Sequence, residues 1–313
     1  VAARRDRARP PRTSVAPVTT SDGAVPSSRA LWAELEPVHD VVYFAPEAQA
    51  AAGAAGFRGF WRGYFAMRAA ALGPVGAAPV TVAFHGFHPS MVARALPAVW
   101  SLGTPAAALA ARLAGATAAL RRSGLDGAGP AADPAALRRA AELAWAAAGE
   151  VDVDGRVLAA ANAALPRPDG DLETLWQATT TLREHRGDGH VAVLVARGVG
   201  PVAAHHLKIA AGETDGEWLR TARGFDHETW AAGAQDLRAR GWVDATGTLT
   251  AAGAQEHDEI ERLTDRAAAR PWAALGADRT AELAALLAPM ASALLAAGDV
   301  PAHGPVGLVR DAR

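Results

Sequence analysis

The sequence contains no cysteine, which excludes disulfides, thiolate nucleophiles and cysteine-ligated zinc. Lys208 is its one lysine and Asn162 its one asparagine, so arginine carries nearly all the positive charge, a choice in keeping with a GC-rich genome. Aromatic residues make up only 6% of the 313 positions. No run of about 18 apolar residues free of charge occurs, so no membrane span is expected. The arginines Arg4, Arg5, Arg7, Arg9 and Arg12 are followed by no apolar stretch, so no secretory signal is expected and a cytoplasmic location follows. An excess of positive charge is missing too. The net charge of −2 argues against a dedicated nucleic-acid binder, although a local arginine patch can serve.

What the sequence has in abundance is alanine, within a hydrophobic fraction of 50%. Alanine loses no side-chain entropy in a helix and offers little to a pleated sheet, so a mainly α fold is expected. The length suits two compact parts plus tails. Residues 1–28, rich in Arg, Pro, Ser and Thr, read as a disordered tail. A helical N-terminal domain is expected over 29–123, opening with a capped amphipathic helix from Ser28 through Leu31, Leu35 and Val38. Within it, Pro46–Ala55, Pro89–Trp100 and Pro105–Leu120 read as helices, and Val80–Phe84 reads as a short strand or part of a helix. The Gly- and Pro-rich stretch 124–134 is the clearest linker. A connecting helix from Pro134 and a loop fill 135–170, with Asp133 as N-cap. A winged-helix domain follows over 171–275, then an apolar helix over 276–298 suited to packing or to a homodimer seam, and a tail over 299–313.

The winged-helix reading rests on short-range signals. A helix over Asp171–Glu184 precedes the module. Val191–Ala204 then supplies the first helix and Glu217–Arg223 the second. Gly224-Phe225 turns the chain, and Asp226 caps a third helix, His227–Arg240, that stops at Gly241. Two β-prone runs, Trp242-Val243 and Thr248-Leu249, flank the turn Thr246-Gly247 as in a small β-hairpin wing. Thr250 caps a long helix reaching about Ala269. The segments Leu237-Arg-Ala-Arg-Gly241-Trp242-Val243 and Leu249-Thr250-Ala-Ala-Gly253 stand where MarR-like winged helices place their hairpin entry and exit. The N-terminal half reads as helical, and as a degenerate winged helix if Phe87…Leu96…Trp100 repeats Phe225…Leu237…Trp242.

Beyond this segment, the chain resembles an uncharacterised actinobacterial family of helix-turn-helix, MarR-like winged-helix proteins. The resemblance is carried by Glu36-Pro-Val-His39, Tyr43-Phe-Ala-Pro-Glu47, Gly63-Tyr-Phe-Ala-Met-Arg-Ala-Ala70 and Leu182-Arg-Glu-His-Arg-Gly-Asp-Gly-His190. It implies a fold and no transferable chemistry.

Three sets of residues are candidates for function. On the third helix and before it, Arg220, Arg223, Thr229, Gln235 and Arg238 are placed to meet double-stranded DNA, although Asp226 and Asp236 oppose phosphate and the wing tip carries no arginine. In the first half, His39, Tyr43, Glu47, Tyr64 and Arg68 lie among most of that half's aromatics, as in a small-molecule pocket or a polar-threaded core. In the segment 183–190, Glu184, His185, Arg186, Asp188 and His190 gather acid, base and ligand chemistry at what reads as a helix end broken by Gly187 and Gly189. A polar helix–helix turn, with Asp188 capping the next helix and Arg183 or Arg186 paired to Glu184 or Glu47, is favoured there over a metal site. No metal is expected and no cofactor is identified. A ligand-responsive regulator is the first reading, and a ligand-binding protein or enzyme that has lost DNA binding is the alternative. Convergence of the 183–190 segment with His39 and Glu47 on one cavity is the mark of a built site.

Overall fold

The computed structural model describes residues 26–127, 129 and 131–301, so the tail expected over 1–28 lies almost wholly outside the described residues, as does most of that over 299–313. The described chain is built from α-helices. Ser27 caps α1 (Ser28–Phe44) by accepting from the Ala30 N–H at 3.1 Å. After α2 (Pro46–Ala54) and α3 (Phe60–Ala69) come a 3₁₀ turn, Ala70–Leu72, and α4 (Ala77–Ala83), which settles the ambiguous Val80 segment as helix. The helix expected over Pro89–Trp100 is interrupted: α5 (Pro89–Ala93) ends after five residues and a 3₁₀ turn, Ala98–Ser101, follows. This stretch therefore lacks the single long helix that corresponds to His227–Ala239 in the other half. α6 (Pro105–Arg122), α7 (Pro134–Ala148) and α8 (Val157–Ala163) complete the first half, with Thr104 and Asp133 as N-caps of the first two.

The centre of the molecule is α9 (Asp171–Ala196), a helix of 26 residues surrounded by α1, α6, α7, α8 and α13. Its buried Leu172, Leu175, Trp176 and Leu182 join the main core, and the hydroxyls of Thr179, Thr180 and Thr181 return to carbonyls of their own helix. This corrects the expectation of a helix ending at Glu184. Gly187 and Gly189 do not break it. A glycine costs a helix about 1 kcal/mol relative to alanine, and packing on several sides outweighs that. At Gly189 the missing side chain has a use: a Cβ would lie 2.5 Å from Arg156 Nη1, which crosses there to reach the His185 carbonyl. Asp188 consequently caps no helix of its own segment. Its carboxylate accepts from the N–H groups of Leu158 and Ala159 at 2.8 and 2.9 Å, so it caps α8 instead.

The helix-turn-helix unit comprises α10 (Pro201–Ala210), α11 (Gly216–Arg223) and α12 (His227–Ala239), backed by α13 (Ala251–Ala267). Its first helix begins at Pro201, not Val191, because Gly198 turns the chain at positive φ after α9. Gly224 provides the left-handed turn and Asp226 caps α12 by accepting from Thr229 N–H at 2.7 Å. Leu194, Leu207, Leu237, Val243 and Ile260 form its core, with Leu219, Phe225 and Trp230 in an adjoining cluster. The β-hairpin wing is corrected: no strand forms among the described residues, and Val243 and Leu249 make one isolated bridge. The loop instead folds on Asp244, whose carboxylate accepts from the N–H groups of Thr246 and Thr248. That tight turn leaves too few residues for a ladder.

α14 (Arg270–Leu275) and α15 (Ala277–Ala296) return to the first half. Among the described residues α15 is the one helix long and apolar enough to cross a membrane. Its apolar stripe of Leu283, Leu287, Met290 and Leu294 is buried within the chain against α1 and α7, so it is not free for a homodimer seam.

Candidate functional site

A cavity of about 570 Å³ lies between the first half and the helix-turn-helix unit. α1, α3 and the loop after α4 form one side, α9 the floor, and α10, α11 and Glu261 of α13 the other side. Because α9 is unbroken, Arg183, Arg186, Gly187, His190, Val191 and Leu194 fall on one helical face, and all six line the cavity. Tyr43, Phe60, Trp61, Tyr64, Phe84 and Phe87 build an aromatic wall in which neighbouring ring centroids lie 4.8–6.5 Å apart. Phe60 and Trp218 are 42% and 47% exposed and stand at the rim.

The polar part of the floor is a buried ion network. Arg68 of α3 grips Glu184 of α9 with Nε and Nη2 at 2.9 and 3.0 Å, and Arg183 donates both to Glu184 at 3.0 Å and to Glu36 at 3.1 Å. Burial alone would raise the Glu184 carboxyl. The guanidinium groups of Arg68 and Arg183 override it and hold the group well below the usual carboxylate range. The carboxyl of Asp40, one turn from Glu36, is pushed well up by burial and then by Glu36. Asp188 is raised to about 6 by burial, against the backbone N–H bonds it accepts.

His39 lies behind the wall. Its Nδ1 is 3.0 Å from Thr180 Oγ1 and its Nε2 3.0 Å from Tyr43 Oη. Thr180 donates its hydroxyl proton to the Trp176 carbonyl, so it accepts from His39, which fixes the Nδ1–H tautomer. Tyr43 therefore donates to Nε2. Burial, followed by Arg183, depresses the His39 pKa far below its ordinary value. The neutral imidazole orients the Tyr43 hydroxyl and has no face in the cavity. His190 bonds Thr264 and His205 bonds the Gly86 carbonyl at 2.8 Å; burial lowers both to about 3, so both rings are neutral.

The predicted ligand residues thus divide. Tyr43, Tyr64, Arg68, Arg186, Asp188 and His190 line the cavity, with Glu184 and His39 directly behind it. Glu47 does not join them, nor does it pair with Arg183 or Arg186. It faces Arg122 of α6 on the far side of α2, and Arg122 also holds Asp299 at 2.6 Å. His185 points away toward Asp152 at 2.6 Å, because it sits about 100° around the helix from Glu184. Sequence reasoning missed Trp32, Glu36, Lys208, Trp218 and Glu261 as lining residues, and the buried His205 as well. Their signal is tertiary; only the i, i+4 spacing of Trp32 and Glu36, which bond at 2.7 Å, is visible locally. No group of three or more His, Asp or Glu is placed to hold a metal among the described residues.

The predicted DNA residues divide as well. Arg238 and Gln235 are exposed on α12, Thr229 is half-buried near its start, and Ala231 and Ala232 lie exposed between them. Arg220 is tied to Glu217 and to the Phe225 carbonyl, where it closes the turn between α11 and α12. Arg240, which follows α12, is tied to Asp236 and to the Gly198 carbonyl. Arg223 faces inward, into the cavity, with its guanidinium carbon 4.4 Å from the centre of the Phe87 ring. The four arginines do not form a continuous strip.

No curated protein and no solved structure matches the chain. A helix-turn-helix family matches it over residues 28–301, which takes in the first half, the cavity and the α10–α12 unit together. The correspondence covers nearly all the described residues, and the chain belongs to that helix-turn-helix family.

Proposed function

We propose that this protein is a ligand-responsive DNA-binding regulator of MarR-like design, acting in the cytoplasm where the chromosome is accessible. The observation that carries the reading is the cavity's place: one wall is made by α10, which packs on α12, and by α11, whose Leu219 shares a buried cluster with Trp230 of α12. A molecule held there touches the frame of the DNA-reading helix directly. On the DNA side, Arg238, Gln235 and Thr229 are the side chains offered to the groove. Arg220 and Arg240 brace the turns at either end of α12 and so set its angle. The contact is lean in charge, so affinity comes from few phosphates and falls gently with salt.

Selection of duplexes from a random-sequence pool by the purified full chain, followed by fluorescence anisotropy across a salt series, tests the reading. Enrichment of a sequence, with binding that weakens about uniformly and a salt slope reduced by about 1 in Arg238→Ala, supports it. Absence of any enriched sequence and of salt-dependent binding overturns it. The cavity would then belong to a ligand-binding protein that has kept the fold without the DNA contact.

A further inference from the structure

We infer that the cavity takes a small organic anion with a flat aromatic body, its acidic head held by Arg223. This rests on the cavity being a ligand site, as proposed above, and names what enters it.

Most charges around the cavity are already matched. Arg68 is bound to Glu184, Arg183 to Glu36 and Glu184, Arg186 to Glu261 and Asp265, and Arg29 lies 3.6 and 3.7 Å from Glu213 and Glu261. The acids are matched in the same way. Glu213 also meets His257 at 3.0 Å, and Asp188 accepts two backbone N–H groups. Arg223 differs. Among the described residues it has no carboxylate within ion-pair distance and no hydrogen bond from its guanidinium. Its contact is with the face of Phe87, and a ring under a guanidinium occupies the flat side while leaving the N–H edge free. Burial brings its pKa down to about 10, so the group is still a cation at neutral pH. Arg223 is half-buried at the cavity wall. A partly desolvated cation without a counter-charge is costly, and a carboxylate or sulfonate in the fork geometry of its N–H edge relieves that cost.

The body of the ligand follows from the walls. Around Phe87, the ring under Arg223, the rings of Tyr64, Trp61 and Phe84 have centroids 5.4, 6.0 and 6.4 Å away, an aromatic wall that accepts a planar apolar group in stacked or edge contact. A cationic ligand is disfavoured, since every acid in the lining is already bonded. A neutral apolar ligand would leave Arg223 unmatched.

Two fluorescent probes separate these cases: 8-anilinonaphthalene-1-sulfonate, and N-phenyl-1-naphthylamine, which has the same aromatic body without the acid. Wild-type protein should bind the sulfonate at least about tenfold more tightly than the amine, the worth of one charge-assisted hydrogen-bonded contact. That preference should change by less than about twofold between 0.05 and 0.5 M NaCl, because a buried pair is poorly screened. In Arg223→Met the two probes should bind within about twofold of each other, since the acid's partner is gone while the walls remain. Gly187→Leu should abolish both. Gly187 lines the lumen with no neighbour closer than 3.8 Å to an added Cβ, so the longer chain fills the cavity while favouring the helix. Equal binding of the two probes by wild type overturns the inference. So does a preference that survives Arg223→Met or collapses in salt, or retention of both probes by Gly187→Leu. The wild-type and Gly187→Leu arms stand even if Arg223→Met does not fold. All arms are read without DNA, so a failed duplex selection with an intact anion preference sinks the regulator reading alone.

Discussion

Glu184→Gln removes one negative charge from the most buried ion network in the molecule, and its cost can be worked from the geometry. Glu184 is 1% exposed and receives three hydrogen bonds, two from Arg68 and one from Arg183. The guanidinium groups of Arg68 and Arg183 are ion-paired to the two carboxylates Glu36 and Glu184. The substitution therefore leaves a buried positive charge without a counter-charge. Breaking a buried pair by removing one partner costs about 3–5 kcal/mol. The amide oxygen of glutamine retains one acceptor, worth about 1 kcal/mol, so a net loss of about 2–4 kcal/mol is expected. In urea this lowers the midpoint by about 1 M at an m-value of roughly 3 kcal/mol/M, with the slope unchanged. Combining Glu184→Gln with Arg68→Met removes one charge of each sign, and the double variant should be less damaged than the two singles added, by about 1–3 kcal/mol of coupling. The pH dependence has a definite sign. Glu184 titrates below its ordinary 4.5 in the folded protein, so its contribution is present above that value and lost as pH falls; the two stability curves converge in acid. A loss below 1 kcal/mol at pH 7, or additive single and double variants, would falsify the view that this network joins α3 to α9.

Asp188→Asn should leave stability at pH 7.5 unchanged or raised. The folded pKa of about 6 lies above the ordinary 3.8, so the carboxyl's favourable share is complete below 3.8 and lost as pH rises through 6. The wild type should decline over that window by up to about 3 kcal/mol in urea titrations, and the variant should not; a variant weakened by more than 2 kcal/mol at pH 7.5 refutes this. His205→Gln keeps an N–H for the Gly86 carbonyl and removes a ring whose folded pKa is depressed to about 3, so it should flatten the loss of stability that sets in as pH falls below 6.5. Circular dichroism across an acid series reads this, and an unchanged acid limb contradicts it. Gly253→Ala places a Cβ over the Trp242 carbonyl oxygen, which also accepts the Thr250 N–H closing the wing loop. A fall of several degrees in the melting temperature, with weaker duplex binding, is expected, and an unshifted melt would show that the loop yields freely.

Local signals carried the helix-turn-helix unit through from sequence to structure. Asp226, Gly241 and Thr250 each act within a few residues, and the ends of α12 and the start of α13 fall where they place them. The same kind of reading failed at α9, because the effect of Gly187 and Gly189 depends on what packs there: the cavity lumen at one and Arg156 at the other. Once the helix is continuous, its 3.6-residue period sorts the 183–190 cluster, sending His185 away from the face shared by Arg183, Arg186 and His190. Ion-pair partners were the least legible feature. Glu47 meets Arg122 across 75 residues and Arg68 meets Glu184 across 116, separations that leave no periodic trace. The wing was overread for the opposite reason: a Thr-Gly turn between β-prone runs is a hairpin signal, but the Asp244 side chain captures the Thr248 N–H, and the pairing stops at the bonds Asp244 N–H to Thr248 O and Thr250 N–H to Trp242 O.

If the protein is the regulator proposed, the loop between α4 and α5 is the part that links its cavity to its helix-turn-helix unit. Its side chains Phe84 and Phe87 face the lumen, while its backbone docks on the helix-turn-helix unit: His205 donates to the Gly86 carbonyl at 2.8 Å, and His88 N–H donates to the Arg223 carbonyl at 2.9 Å. Arg223 is the last residue of α11, followed by the Gly224 turn, Phe225 and the Asp226 cap of α12. Regulation of this kind requires two orientations of the unit, and a molecule with equal affinity for both would shift nothing, however tight its binding. One that touches the aromatic wall and also grips the guanidinium of Arg223 ties the wall to the turn that aims α12, and its affinity then differs between orientations. Reciprocity is compulsory for such coupling: the factor by which the sulfonate probe alters duplex affinity must equal the factor by which the duplex alters probe affinity. On the proposed reading that factor depends on Arg223, and Arg223→Met should bring it to one while leaving the aromatic wall able to bind.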